Sequence, residues 1–276
     1  RAWNEAFSQP TPSLRSLQLR YLNCQEPILP FAPLLEELTV YNCSIDLCGS
    51  LEQLKLLRID SRAMEIRNLE VVSKSPNLVT LEMFYCYRFF HLPPRFPALQ
   101  NLILRGSLET KVMENFSAPL LRCLSLSLGP EVDCGALAEC RGIDFTKLTT
   151  LHLDCSVPED VYPEHSVTWT IMGLKGVIEA ATNVQVYYIR GIKALTLLLL
   201  YFEETLNSGI RTQNCTLKAK FYDKKISKLV ESTLNIHTDS VEADIHRIRE
   251  FAHLPLDDTL QTFIKRLAHY SEASPH

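Results

Sequence analysis

A nine-residue phrase recurs along this chain at near-regular intervals, and it constrains the fold more than any other feature. It reads LRSLQLRYL from Leu14, LEELTVYNC from Leu35, LKLLRIDSR from Leu54 and LVTLEMFYC from Leu78. LQNLILRGS follows from Leu99, LRCLSLSLG from Leu121 and LTTLHLDCS from Leu148, with a degenerate eighth copy, VQVYYIRGI, from Val184. The intervals are 21, 19, 24, 21, 22, 27 and 36 residues. The first, fourth and sixth positions are apolar in every copy, which suits a short strand with one buried face. So short a strand cannot cover its own apolar side, and each copy needs neighbours to do it.

The phrase resembles the leucine-rich-repeat signature LxxLxLxx(N/C)xL, and most of the intervals lie in that repeat's range. Cys43 and Cys86 occupy the N/C slot and Ile45 the apolar position after it, while Leu22, Ser107, Gly129 and Ser156 fill the slot elsewhere. The resemblance implies an α/β leucine-rich-repeat solenoid: a curved parallel sheet with an irregular convex side carrying short helices. A slot side chain serves backbone groups that the turn out of the strand leaves unpaired. Cysteine does so weakly but is small enough for the interior.

Between the phrases, PILPFAP and LPPRFPA exclude regular helix and read as extended or single-turn returns. MEIRNLEVVSKSPN fits either a helix or a convex-side strand, and GLKGVIEAATN reads as a helix with Asn183 at its C-cap. Residues 1–13 form an N-terminal segment or cap, and 14–192 hold the irregular repeats. Residues 193–276 are expected to be degenerate repeats and a helical C-terminal cap, with a separate small domain as the alternative. There KALTLLLLYFEETLNSG reads as a buried helix, CTLKAKFYD and STLNIHT as strands, and DSVEADIHRIREFAH and DDTLQTFIKRLAHYSE as amphipathic helices.

A net charge of −4 over 276 residues gives no global pull toward nucleic acid or an anionic membrane. The most apolar run, Ala194 to Phe202, is about half of the ~20 residues a membrane span needs. Nine cysteines with no CxxC pair favour reduced thiols in an intracellular setting, although three sequons (Asn42, Asn115, Asn214) point weakly the other way. No signal-peptide pattern follows Arg1.

No phosphate loop, dinucleotide fingerprint, nucleophile elbow or zincin helix occurs. His152 and Asp154 beside Cys155 suggest a nucleophile pair, but three polar residues in one repeat fit surface and slot positions better. Cys134, Cys140, Asp133 and Glu139 lack metal spacing and read as a solvated loop. No catalytic residue, metal ligand or cofactor is assigned.

Counting from each phrase start places two columns on the concave face. One runs Arg20, Tyr41, Asp60, Phe84, Arg105, Ser127, Asp154, Arg190, and the other Gln18, Thr39, Arg58, Glu82, Ile103, Ser125, His152, Tyr188. Tyr21 and Tyr85 border them. Aromatic residues and arginines among acids are the composition of protein-binding hot spots. The candidate partner-binding residues are Arg20, Tyr41, Arg58, Glu82, Phe84, Tyr85, Arg105, His152, Tyr188 and Arg190. For Phe84 and Tyr85 the alternative is packing on a neighbouring loop.

PLLEELTVYNC, LKLLRID and IRNLEVVSKSPNLVTLEMF are similar to the irregular repeats of plant-type F-box/leucine-rich-repeat proteins. That resemblance, over about Leu14 to Ser156, implies the substrate-recognition part of an adaptor for a Skp1-cullin ubiquitin ligase. Ahead of Leu14 stands only RAWNEAFSQPTPS, which is no F-box, so attachment to a Skp1-type adaptor would need an F-box upstream of Arg1. The repeat domain of an immune-type sensor and an intracellular scaffold are the competing classes.

Overall fold

The computed structural model describes residues 11–21, 23–27, 32–47, 51–60, 66–84, 95–105, 116–127, 140–154, 176–190, 198, 215–223 and 228–236. In chain order the strands are β1 (Ser16–Arg20), β2 (Asn23–Pro27), β3 (Glu37–Tyr41), β4 (Ser44–Asp46), β5 (Leu56–Asp60), β6 (Ile66–Arg67) and β7 (Thr80–Phe84). Then come β8 (Asn101–Arg105), β9 (Cys123–Ser127), β10 (Thr150–Asp154), β11 (Val186–Arg190), β12 (Cys215–Asp223) and β13 (Lys228–Ile236). β1, β3, β5, β7, β8, β9, β10, β11 and β12 pair in that order as one open, parallel sheet, with β13 added antiparallel after β12.

Every one of the eight phrases forms a strand at its third to seventh residues, and the pairing register keeps the copies in phase. Leu38, Leu57, Leu81, Leu102, Leu124, Leu151, Tyr187 and Leu217 form one buried row of partners. Leu19, Val40, Ile59, Met83, Leu104, Leu126, Leu153 and Ile189 form a second. The phrase-opening residues from Leu35 to Val184 add a third, so one continuous core lies under the sheet. Each apolar side chain is covered by the equivalent one on either side, as the phrase requires.

One turn leads into almost every strand. The opening N–H of seven phrases, from Leu14 through Leu148, donates to the carbonyl three residues earlier at 3.0–3.4 Å. In five of these turns the residue after the acceptor is proline: Pro12, Pro33, Pro76, Pro97 and Pro119. Proline's fixed φ suits that first corner of a β-turn. Two asparagines just ahead of a phrase then tie successive turns together. Asn77 Nδ2 donates to the Glu52 carbonyl and Asn183 Nδ2 to the Thr146 carbonyl, each at 2.7 Å. The expected C-cap role of Asn183 thus gives way to a tie between turns, because the helical residues end at 180.

Past the strand ends, the backbone doubles back to start a second sheet of β2, β4 and β6. Tyr21 and Asn42 adopt positive φ (56° and 47°), and their N–H groups donate to the carbonyls of Tyr41 and Asp60. Cys43 is fully buried and its thiol donates to the Tyr41 carbonyl at 3.1 Å; Cys86 lies outside the described residues. The return whose reading was open contains both alternatives in miniature, the strand β6 followed by a 3-10 helix over Leu69–Lys74.

One expectation needs correction. Cys140 is not in a solvated loop: it is buried, and its thiol donates to the Phe116 carbonyl at 3.2 Å. The backbone runs so close there that a Cβ on Gly142 would lie 2.0 Å from that same oxygen. β12 continues the parallel pattern and β13 ends it: only residues 224–227 join the two, and a parallel crossover needs about a dozen, so the pair is a hairpin. The other segments expected to be helical after Ile192 lie outside the described residues except Leu198, which is buried. Among the described residues no helix is long and apolar enough to cross a membrane.

Candidate functional site

The face opposite the leucine rows carries both columns. Gln18, Thr39, Arg58, Glu82, Ile103, Ser125, His152, Tyr188 and Lys218 are successive register partners. So are Arg20, Tyr41, Asp60, Phe84, Arg105, Ser127, Asp154 and Arg190. Nine of the ten candidate residues therefore share one face; Tyr85 lies outside the described residues. From β1 to β11 the row spans about 34 Å at ~4.8 Å per strand, so these residues do not meet at one point. They gather into three groups.

At the first edge, the Arg20 guanidinium lies 6.0 Å from the centre of the Tyr41 ring, and Tyr21 meets the same ring edge-on at 5.5 Å. With its amide oxygen turned toward Arg20, Gln18 accepts from that guanidinium at 2.9 Å. Tyr21 is 71% exposed and holds a left-handed backbone that costs an L-residue roughly 1–2 kcal/mol. An exposed aromatic ring held at that cost suits a contact surface.

The middle group corrects the expectation for Phe84. It lies on the polar face, yet it is only 8% exposed, because Arg58 and Arg105 close over its ring from 4.8 and 5.2 Å. Both guanidiniums lie against the ring, and Phe84 is not an open anchor. Arg58 also pairs with Glu82 at 3.4 Å. On the adjoining rim Glu36 bridges Lys55 at 2.6 Å and Arg15 at 3.1 Å. The Lys55 hydrogen bond foremost holds the Glu36 carboxyl below its usual range.

The third group spans β9 to β12. Ser125 Oγ and His152 Nδ1 share a hydrogen at 3.1 Å, and the His152 ring tilts against Tyr188 at 5.8 Å. Lys218 Nζ donates to Tyr188 Oη at 3.2 Å and lies 4.9 Å from the ring centre. Arg190 donates to the nearly buried Asp154 carboxylate at 3.4 Å. Burial, then the charge of Arg105, pushes the His152 pKa below its ordinary 6.5; Arg190 adds to this and Asp154 opposes it.

A Ser–His–Asp relay would need a carboxylate on the second ring nitrogen. Asp154 stands two residues along the same strand, about 6.6 Å away in backbone terms, and receives Arg190 instead. Among the described residues no cluster of His, Cys, Asp or Glu could hold a metal ion. Lys218 was missed as a site residue because the phrase was counted only to Val184. The signal was there: Leu217 and Ala219 alternate with Lys218 and Lys220.

No known protein family, curated protein or solved structure matches this chain.

Proposed function

We propose that this chain is a leucine-rich-repeat solenoid that binds a protein partner on the concave, polar face of its parallel sheet. One observation carries the reading: an unbroken register from β1 to β12 holds tyrosines, arginines and acids in two columns on one face. Placing rigid aromatic and guanidinium groups side by side on stacked strands limits the entropy lost when a partner covers them. The similarity of the repeat phrases to F-box/leucine-rich-repeat receptors makes substrate recognition for a Skp1-cullin ubiquitin ligase the specific role.

Site-directed photocrosslinking tests the face. A benzoyl-phenylalanine at Tyr41 or Tyr188 should capture a protein partner in cell extract, and one at Glu70, on the return side, should not. Equal capture from all three positions would reject the assignment. Co-purification of a Skp1-type protein with the complete gene product tests the ligase role, and its absence would leave a binding domain without that link.

A further inference from the structure

Among the described residues, the charges on the polar face are balanced on one half and not on the other. On the β1–β7 side, Arg15 and Lys55 share Glu36, Arg58 has Glu82, and Gln18 accepts from Arg20. From β8 to β12 the described side chains hold three cations, Arg105, Arg190 and Lys218, and one carboxylate, Asp154, already taken by Arg190. Arg105 is half-buried and rests on the Phe84 ring, yet its N–H donors have no acceptor among the described residues. Among the described residues Lys218 reaches only Tyr188, its hydroxyl and its ring. His152 stands on β10 between Arg105 and Arg190, and burial, then the charge of Arg105, lowers its pKa, with Arg190 adding to this and Asp154 opposing it.

We propose that the strip of sheet face from Arg105 to Lys218 binds an extended, carboxylate-bearing segment of a partner protein. This rests on the reading of the polar face as a protein-binding surface. Arg105 and Arg190 occupy one column three strands apart, about 14 Å, the reach of residues i and i+4 in an extended chain crossing the strands. A guanidinium fork matches a carboxylate at two points. The retained Asp154 carboxylate disfavours a dianionic phosphate more than a single negative charge. A polynucleotide is disfavoured by the net charge of −4 and by Glu36, Glu37 and Glu82 along the strands before β8.

The test uses the whole chain and a fluorescein-labelled twelve-residue Ser/Gly peptide carrying Glu at every fourth position, read by anisotropy at pH 7. It should bind about tenfold or more tightly than the same peptide with Gln, the worth of one or two charge-assisted hydrogen bonds. Arg105→Gln and Lys218→Gln should each weaken it about tenfold, and Lys55→Gln less than about twofold. Lys218 has no role in the core, so its variant decides the matter even if loss of Arg105 loosens Phe84. Peptide binding should also raise the His152 pKa seen by NMR, which a merely structural change would not do.

Equal losses in all three variants would overturn the proposal in favour of diffuse attraction. A phosphoserine peptide binding tenfold more tightly than the Glu peptide would overturn the carboxylate assignment, and so would oligothymidine competing at equal concentration. If the Glu peptide fails to bind while Tyr188 still crosslinks a protein, the acidic-segment inference falls and the binding face stands. If both fail, both fall.

Discussion

Three residues of β7 separate core, cover and surface within one strand. Leu81 is 1% exposed, with Leu57 and Leu102 as its buried partners on the flanking strands. Those strands are fixed by backbone pairing on both sides, so a cavity at Leu81 cannot close. Leu81→Ala should therefore cost about 3–5 kcal/mol, the upper part of the range for such truncations. Glu82, the next residue, faces the other way and pairs with a half-exposed Arg58 at 3.4 Å, so Glu82→Ala should cost no more than about 1 kcal/mol. Phe84 is on the polar face, like Glu82, but is nearly as buried as Leu81. Losing its covered ring and two guanidinium contacts should cost about 2–3 kcal/mol. Urea denaturation of the three variants, followed by circular dichroism, should rank them Leu81, Phe84, Glu82. A midpoint for Glu82→Ala displaced as far as that for Leu81→Ala would refute the face assignment. A Phe84→Ala midpoint no lower than that of Glu82→Ala would show that the arginines do not cover the ring.

Gly142→Ala should cost about 3 kcal/mol, because the new Cβ would meet backbone atoms of Phe116 and Ser117, whereas Arg141→Ala should stay within about 0.5 kcal/mol in the same urea assay. Maleimide labelling of the native protein, located by mass spectrometry, should spare Cys43 and Cys140 and be slow at Cys123, where burial raises the thiol pKa; rapid labelling of Cys43 would contradict its slot position. Because His152 has a depressed pKa in the folded chain, the unfolded chain takes up that proton first as pH falls. Its stabilising contribution is complete above about 6.5 and is lost below that, until the folded site titrates too. The thermal midpoint of His152→Gln should accordingly fall less between pH 7 and pH 5 than that of the parent, and identical slopes would refute the assignment.

The strands and their register were readable because the phrase has a fixed internal spacing and a period of two. Counting from Leu14, Leu35 and their equivalents orders the columns correctly through Arg190. What alternation cannot report is cover from above. Phe84 and Glu82 share a face by parity, but Phe84 is buried, with Arg58 and Arg105 over its ring, each more than twenty residues away in the chain. The prolines of PILPFAP and LPPRFPA exclude helix, but only the hydrogen bonds show that a proline directly after the turn acceptor marks a recurring β-turn. Cys140 looked like loop because no phrase surrounds it; the close approach of Gly142 to Phe116 buries it, a contact without local signature. The end of the parallel pattern was legible in one respect: the short link between β12 and β13 leaves no room for a crossover.

The two halves of the polar face meet at Arg105, and that meeting gives the binding reading its physical content. Toward β7 the guanidinium lies on the Phe84 ring, as does the second guanidinium, that of Arg58. Toward β9 and β10 its charge reaches His152 and depresses that residue's proton affinity. A free arginine side chain carries about 2 kcal/mol of rotamer entropy, much of which is lost when it grips a ligand. Stacking on Phe84 restricts that freedom before any partner arrives, so less remains to be lost on binding. The buried aromatic ring then acts through Arg105, by holding ready the one guanidinium on this face whose donors lack an acceptor among the described residues. This accounts for an aromatic residue on the polar side of a strand whose apolar side is already complete, without requiring the ring itself to touch a partner.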